Sequence, residues 1–273
     1  MIDFFKGILF GFANIVPGLS GGTIAVSLGI YEKLINIFSD IKNEVLKNKK
    51  FLALFVSGAV FAIALGSSLI SFLFESYQFL TIMFFVGVII GGIPMIFKKV
   101  KSKIYSKDVI FFILSFALVL FITFLNNGVL DVSIEFNLLY IIILFLIGVI
   151  VASTMVIPGL SGSFILLLIG FYYPIVKIVS DFFKFENVFI NFVFLFSFGI
   201  GLILGIIFIS KLIRYLISKY EVKSYFAILG FVCASIISML ESSNFRTCNI
   251  NLSLGIFIMF VGFLLVYRLG DVK

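Results

Sequence analysis

The 273-residue chain has no histidine and no tryptophan, only two cysteines and four prolines, and just 12% of its residues are charged. Each shortage excludes something. Without histidine there is no Ser-His-Asp triad, no histidine nucleophile of the kind integral-membrane lipid phosphatases use, and no His-based metal centre. Cys233 sits in an apolar run and Cys248 in a polar loop, so no disulfide between them is expected. A membrane enzyme would need a nucleophile–base pair or a cluster of metal-binding carboxylates. Neither accompanies the motifs described below, so no enzymatic activity, metal or cofactor is expected. Charge is scarce compared with a soluble domain, where about a quarter of residues carry it. Without tryptophan, an interfacial aromatic belt must rely on the 10 tyrosines.

What the chain has is apolar surface. Hydrophobic residues make up 62% of it, 38 of them phenylalanine, and the mean hydropathy is +1.29. The composition is that of an all-α polytopic membrane protein. The net charge of +7 is no nucleic-acid footprint, because the basic residues lie in short loops between apolar runs. The start, Met1-Ile2-Asp3-Phe4-Phe5-Lys6, lacks a basic n-region and a following small-residue cleavage site, so the first apolar segment is expected to stay in the mature protein.

One loop occurs twice, once in each half of the chain. The first copy reads Val16-Pro17-Gly18-Leu19-Ser20-Gly21-Gly22-Thr23 and the second Ile157-Pro158-Gly159-Leu160-Ser161-Gly162-Ser163-Phe164. The register holds beyond them, with Gly29 matching Gly170 and Tyr31 matching Tyr172. A Pro-Gly pair interrupts a helix, and in lipid an interrupted backbone survives only where protein buries it or where it lines a cavity. Two such breaks at matching places in two halves are a sign of a transporter built from internal repeats.

Spans of about 20 apolar residues fit at 51–74, 78–97 and 109–125, and again at 188–210, 225–241 and 252–269. The motif regions, 2–39 and 138–180, do not fit single spans. As one helix, 2–39 would be about 57 Å long at 1.5 Å per residue. Each therefore folds back, as a re-entrant hairpin or a pair of short tilted spans. A returning hairpin plus three crossings puts the second half in the opposite orientation to the first. The expected organisation is two inverted repeats, residues 1–130 and 131–273. The basic residues sort accordingly. With both termini in the cytoplasm, only Lys177, Lys184 and Arg246 of the 20 Lys and Arg lie outside, and the boundary loop outside carries Asp131 and Glu135. Gly87–Gly91 and Gly201–Gly205 are spaced for close helix contact.

At each tip a new helix starts near Ser20–Thr23 or Ser161–Phe164. A helix N-terminus offers unpaired N–H groups and favours anions, phosphate among them. Gly18, Gly21, Gly22, Gly159 and Gly162 let the backbone approach a ligand, while the hydroxyls of Ser20, Thr23, Ser161 and Ser163 add donors. With Asn14, Pro17 and Pro158, these residues form the expected substrate site: one anion held by neutral donors where two inverted tips meet. Glu32 is a candidate proton or cation coupling site, its counterpart Tyr173 not being acidic. Its other reading is an interfacial carboxylate paired with nearby Lys33 or another loop base. Lys211 and Arg214 read as topology anchors, with a phosphate-greeting role as the alternative.

The string Asn14-Ile15-Val16-Pro17-Gly18-Leu19-Ser20-Gly21-Gly22-Thr23, followed by Gly29-Ile30-Tyr31-Glu32, resembles the signature of the PopT family of polyprenyl-phosphate transporters. The resemblance extends over essentially the whole chain. It implies a prokaryotic cytoplasmic-membrane protein that carries undecaprenyl phosphate or a similar polyprenyl phosphate between leaflets, returning the spent lipid carrier of cell-envelope synthesis. Its partners would be that lipid, the surrounding membrane lipids, and a coupling ion if one is used (proton or sodium). The second loop departs from the first, with Ser163-Phe164 in place of Gly22-Thr23. The alternative from the residues alone is a secondary transporter or channel for a small soluble anion, which would use the same tips.

The inverted topology predicts that single cysteines near residue 45 and near residue 131 react with an impermeant thiol reagent from opposite faces of the membrane. Reaction from the same face would refute it.

Overall fold

A computed structural model of the chain describes residues 2–15, 20–100, 105–124, 136–242 and 252–271. Among them the regular structure is entirely helical. The first motif region gives α1 (Ile2–Ile15), α2 (Gly21–Ser27) and α3 (Tyr31–Ser39), followed by a short α4 (Ile41–Lys47). Next come α5 (Lys49–Lys99) and α6 (Val109–Phe124). The second motif region gives α7 (Leu138–Val156), α8 (Gly162–Leu168) and α9 (Tyr172–Phe183), and the chain ends with α10 (Val188–Lys219), α11 (Glu221–Ser242) and α12 (Leu252–Asp271).

Among the described residues, five helical stretches are long and apolar enough to cross a membrane: Ser76–Lys99, Ser106–Phe124, Leu138–Val156, Val188–Lys219 and Glu221–Glu241. The chain is thus a multi-pass helical membrane protein. Large apolar side chains such as Phe121, Phe189, Phe208 and Phe257 project from its outer surface, as lipid contact requires.

Helix α5 is 51 residues long, but Tyr77 has non-helical angles (φ −140°, ψ 40°) and divides it. This break separates the two spans expected at 51–74 and 78–97. The Thr81 hydroxyl bridges it, within 3.0 Å of the Tyr77 carbonyl oxygen and 3.2 Å of that of Leu73. Three boundaries differ from the sequence reading. The expected loop at 40–50 contains α4, which Asp40 caps by accepting from the Asn43 N–H. The span expected at 188–210 continues to Lys219. Each motif region also has three helices rather than the two arms expected, because the second stops after two turns.

That stop is the same in both halves. Gly29 has φ +68° and Gly170 has φ +79°. The N–H of Ile30 donates to the Ala25 carbonyl at 3.0 Å, and that of Phe171 donates to the Leu166 carbonyl at 2.9 Å. This is a Schellman end, whose left-handed residue glycine adopts without strain. Bounds, bond and glycine all repeat at the spacing that separates the two Pro-Gly pairs.

Glycines set the helix contacts. A Cβ at Gly7 or Gly11 of α1 would strike the α5 backbone at Phe55 or Ala59, and one at Gly201 of α10 would strike the Phe145 carbonyl of α7. Helices α6 and α12 each pack on a helix from the other half of the chain. Gly87 and Gly91 of α5 lie against Met259 and Phe263 of α12, and Gly230 of α11 lies against Phe112 of α6. The α6–α11 contact also has a bond between the Thr123 and Ser238 hydroxyls at 3.2 Å. The spacings Gly87–Gly91 and Gly201–Gly205 are therefore packing seams.

Gly199 offers an internal control, since a Cβ there meets nothing within 4 Å. Gly201→Ala should destabilise the protein by about 1–3 kcal/mol through overpacking, whereas Gly199→Ala should be close to neutral. Thermal unfolding in detergent measures the difference.

Candidate functional site

The two motif regions touch. The Gly159 N–H donates to the Thr23 hydroxyl oxygen at 2.7 Å, joining loops 136 residues apart in sequence. A Cβ at Gly22 would come within 3.2 Å of the carbonyl oxygens of Met155 and Val156 and 3.3 Å of the Pro158 Cα. Glycine here permits the backbone of one motif to lie on that of the other. Tyr31 completes the contact, its buried hydroxyl donating to the Val156 carbonyl at 3.1 Å. The carbonyl end of α7 thus receives a partner from the opposite half.

Helix α2 is buried along its whole length. At its start Ser20 occupies the N-cap position with extended backbone, yet its side chain makes no capping bond. Ser20 is only 4% exposed, and its hydroxyl has no hydrogen-bond partner among the described residues. A buried polar atom without a partner typically costs about 1–3 kcal/mol, so such an atom calls for a reason. The hydroxyls of Ser27 and Ser210 share this condition, but they lie within α2 and α10 rather than at a helix start. Asn14 sits over the same helix start. Its amide donates to the Phe10 carbonyl at 2.7 Å, and a Cβ at Gly21 would be 2.9 Å from its Oδ1.

The second tip is built differently. Gly159 takes a left-handed conformation (φ +85°) against the Phe231 backbone of α11, beside the buried Pro158. The Ser161 and Ser163 hydroxyls are 2.9 Å apart and bonded to each other. Gly162 faces Val151 and the Thr154 hydroxyl of α7. The first tip is therefore enclosed and the second more open. Pro17 and Gly18 lie outside the described residues. None of the described tip residues, Asn14, Ser20–Thr23 and Pro158–Ser163, is ionisable.

The helices behind these tips, α2 and α8, have only seven residues each. A two-turn helix has little macrodipole, which moves the weight of any anion site from the dipole to individual N–H and O–H donors.

Glu32 stands apart from the tips, in the first turn of α3. Its partner is not the neighbouring Lys33, whose ammonium lies 3.9 Å from the centre of the Phe51 ring. Instead Glu32 pairs with Lys99 at the end of α5, 3.1 Å away, and accepts a hydrogen bond from the Tyr225 hydroxyl of α11. Arg214 of α10 donates to the Ser39 hydroxyl at 3.1 Å, which places it on α3. Lys99 is thus the loop base other than Lys33 that the sequence left open, while Tyr225 was missed because it lies far along the chain and belongs to no motif. The match of Tyr31 with Tyr172 was visible, but not the role of the Tyr31 hydroxyl. Among the described residues no group of three or more acidic or cysteine side chains is placed to hold a metal.

Residues 10–255 match the VCA0040-like family, described as undecaprenyl phosphate translocase-like. A polyprenyl-phosphate transporter of Staphylococcus aureus is 31% identical over 276 residues, spanning 99% of this chain and 96% of its own. A polyprenyl-phosphate transporter of Vibrio cholerae is 30% identical over 233 residues, spanning 80% of this chain and 70% of its own. No solved structure matches.

The Thr23–Gly159 bond makes a direct prediction. Thr23→Val keeps the side-chain shape but strands the Gly159 N–H, so it should cost about 1–3 kcal/mol, while Thr23→Ser should retain most of the stability. Thermal unfolding of the two variants beside the parent measures this.

Proposed function

The chain belongs to the undecaprenyl phosphate translocase-like family, one of transporters and not of enzymes, and on that premise we propose that it moves a polyprenyl phosphate such as undecaprenyl phosphate between the leaflets of a prokaryotic cytoplasmic membrane. Its work is to return the spent carrier of cell-envelope synthesis to the cytosolic leaflet. The halves act as inverted repeats, each a re-entrant hairpin plus three spans, with both termini in the cytoplasm. The recurrence of helix bounds and glycine stops at the spacing of the two Pro-Gly pairs supports the repeat, and the sorting of basic residues supports the inversion.

The phosphate binds where the two tips meet, at the N–H groups and hydroxyls of Ser20–Thr23 and Ser161–Ser163, with Asn14 beside them. The observation that carries this reading is Ser20. Its hydroxyl is enclosed at a helix start, without a partner among the described residues, next to the contact of the two motifs. A phosphate oxygen would satisfy it. Neutral donors suit a carrier, because a fixed cation at the membrane midplane costs several kcal/mol by insertion scales and would slow release of the phosphate. The prenyl tail stays in lipid and only the headgroup crosses through protein. Glu32 is the candidate coupling group for a proton or sodium ion.

In liposomes containing the purified protein, leaflet exchange of a polyprenyl phosphate should exceed that of an ordinary anionic phospholipid. Ser20→Ala should slow it about tenfold, the equivalent of about 1.4 kcal/mol for one lost hydrogen bond to a charged group, and Ser161→Ala should slow it less. Full exchange in both variants would remove the proposed site. If there is no exchange under imposed proton, sodium and potential gradients, the substrate is a soluble anion instead.

A further inference from the structure

Helices α3 and α9 are equivalents, and they carry the same face in two conditions. On α3 that face is Glu32, Ile35, Asn36 and Ser39; in the matching register on α9 it is Tyr173, Val176, Lys177 and Ser180. The α3 face is closed over. Glu32 is held by Lys99 and Tyr225, and Ser39 by Arg214, so that α5, α10 and α11 all grip it. The spaces beside it are small. One of about 30 Å³ is lined by Tyr31, Glu32, Lys99 and Tyr225, and one of about 170 Å³ by Glu32, Asn36 and Arg214. The α9 face is open. Tyr173, Val176, Lys177 and Ser180 all line a cleft of about 950 Å³ together with Lys184 and Asn187, and Tyr173 is 57% exposed.

The side chains that close α3 are not repeated. Tyr173 replaces Glu32, and in the register of the two motifs Leu73 stands opposite Arg214. After the two-residue slip that aligns Gly87 with Gly230, Ile82 stands opposite Tyr225 and Ser242 opposite Lys99. The polar clasp on α3 therefore has no counterpart in the sequence of the other half.

We infer that α3 and α9 are the paired gates of an alternating-access cycle, that this structure has the α3 gate shut and the α9 gate open, and that Glu32–Lys99–Tyr225 with Ser39–Arg214 is the latch on the shut gate. The inference rests on the inverted arrangement proposed above, which puts the two gates on opposite faces of the membrane. In the other state α3 leaves Lys99, Tyr225 and Arg214 to open a cleft like that at α9, while α9 closes. The Thr23–Gly159 contact is the point about which the two motions are coupled. A latch of this kind has to be weak, since the two states must lie within a few kcal/mol of each other for a substrate to shift them. The Glu32–Lys99 pair fits, because its side chains keep 35% and 49% of their exposure and water screens their attraction.

The test compares Asn36→Cys with Lys177→Cys, equivalent positions on the two gates. Both are made with Cys233→Ser and Cys248→Ser, in detergent, where maleimide reaches both faces. Lys177→Cys should react at least about tenfold faster than Asn36→Cys, as a preference for one state requires. Adding Glu32→Gln or Lys99→Met should speed labelling at Asn36→Cys and slow it at Lys177→Cys. The exchanged pair Glu32→Lys with Lys99→Glu should restore the parent rates. Equal rates at the two sites, or rates unchanged by either latch variant, would overturn the inference. The substrate reading is judged separately. If labelling shifts but the parent protein exchanges no polyprenyl phosphate, the gates stand and that reading fails, whereas exchange without a shift does the reverse.

Discussion

A peptide group taken out of a helix and away from water must still find a partner, and within a bilayer only protein can supply one. In this chain the backbone of the second Pro-Gly motif finds part of its partners on side chains of the first half. The Gly159 N–H is met by the Thr23 hydroxyl, and the Val156 carbonyl by that of Tyr31. Gly22 makes room for this meeting by presenting no side chain to the Met155 and Val156 carbonyls. The enclosure of α2, the position of α3 and the proximity of the two sets of donors all depend on that mutual contact.

The same contact explains why the tips differ. The first half contributes Thr23 and Tyr31 as side-chain partners for the backbone of the second, whose own loop has Phe164 at the matching place. Helix α2 is consequently wedged among α5, α7 and α11 and wholly buried, leaving Ser20 enclosed, its hydroxyl without a partner among the described residues. Ser161, on the less enclosed tip, has Ser163 within reach. A repeat with two identical tips would have no such division, in which one tip is enclosed and the other more open.

Much of the architecture was legible in the chain. Long apolar runs and Pro-Gly pairs carry their physics locally, so the helical membrane character, most of the apolar stretches, the doubled motif and its spacing could be read directly. Gly29 and Gly170 were recognisable as equivalents, but their left-handed turns were not, because a lone glycine within an apolar stretch also fits a helix seam, as Gly87 and Gly201 show. That the two tips would meet was an expectation of the sequence reading, but which atoms meet, Thr23 and Gly159, was not. A basic loop partner for Glu32 was legible, but not which one, nor Tyr225. Lys33 is adjacent in sequence, yet its side chain lies on the Phe51 ring, and Lys99 and Tyr225 arrive from helices whose placement only tertiary packing decides.

The crossing-over of the third spans, α6 onto α11 and α12 onto α5, bears on how the protein is made. Ribosomes deliver the chain in order, so α6 reaches the bilayer well before α11, the helix that covers its Ser115 and Phe112 side. Until then Gly87 and Gly91 also lack α12. The first half therefore waits in lipid as an incomplete body with small-residue grooves exposed, and contacts of such long sequence separation close late. Halves separated at the midpoint of the chain would each expose the small-residue seams that now pack against the other.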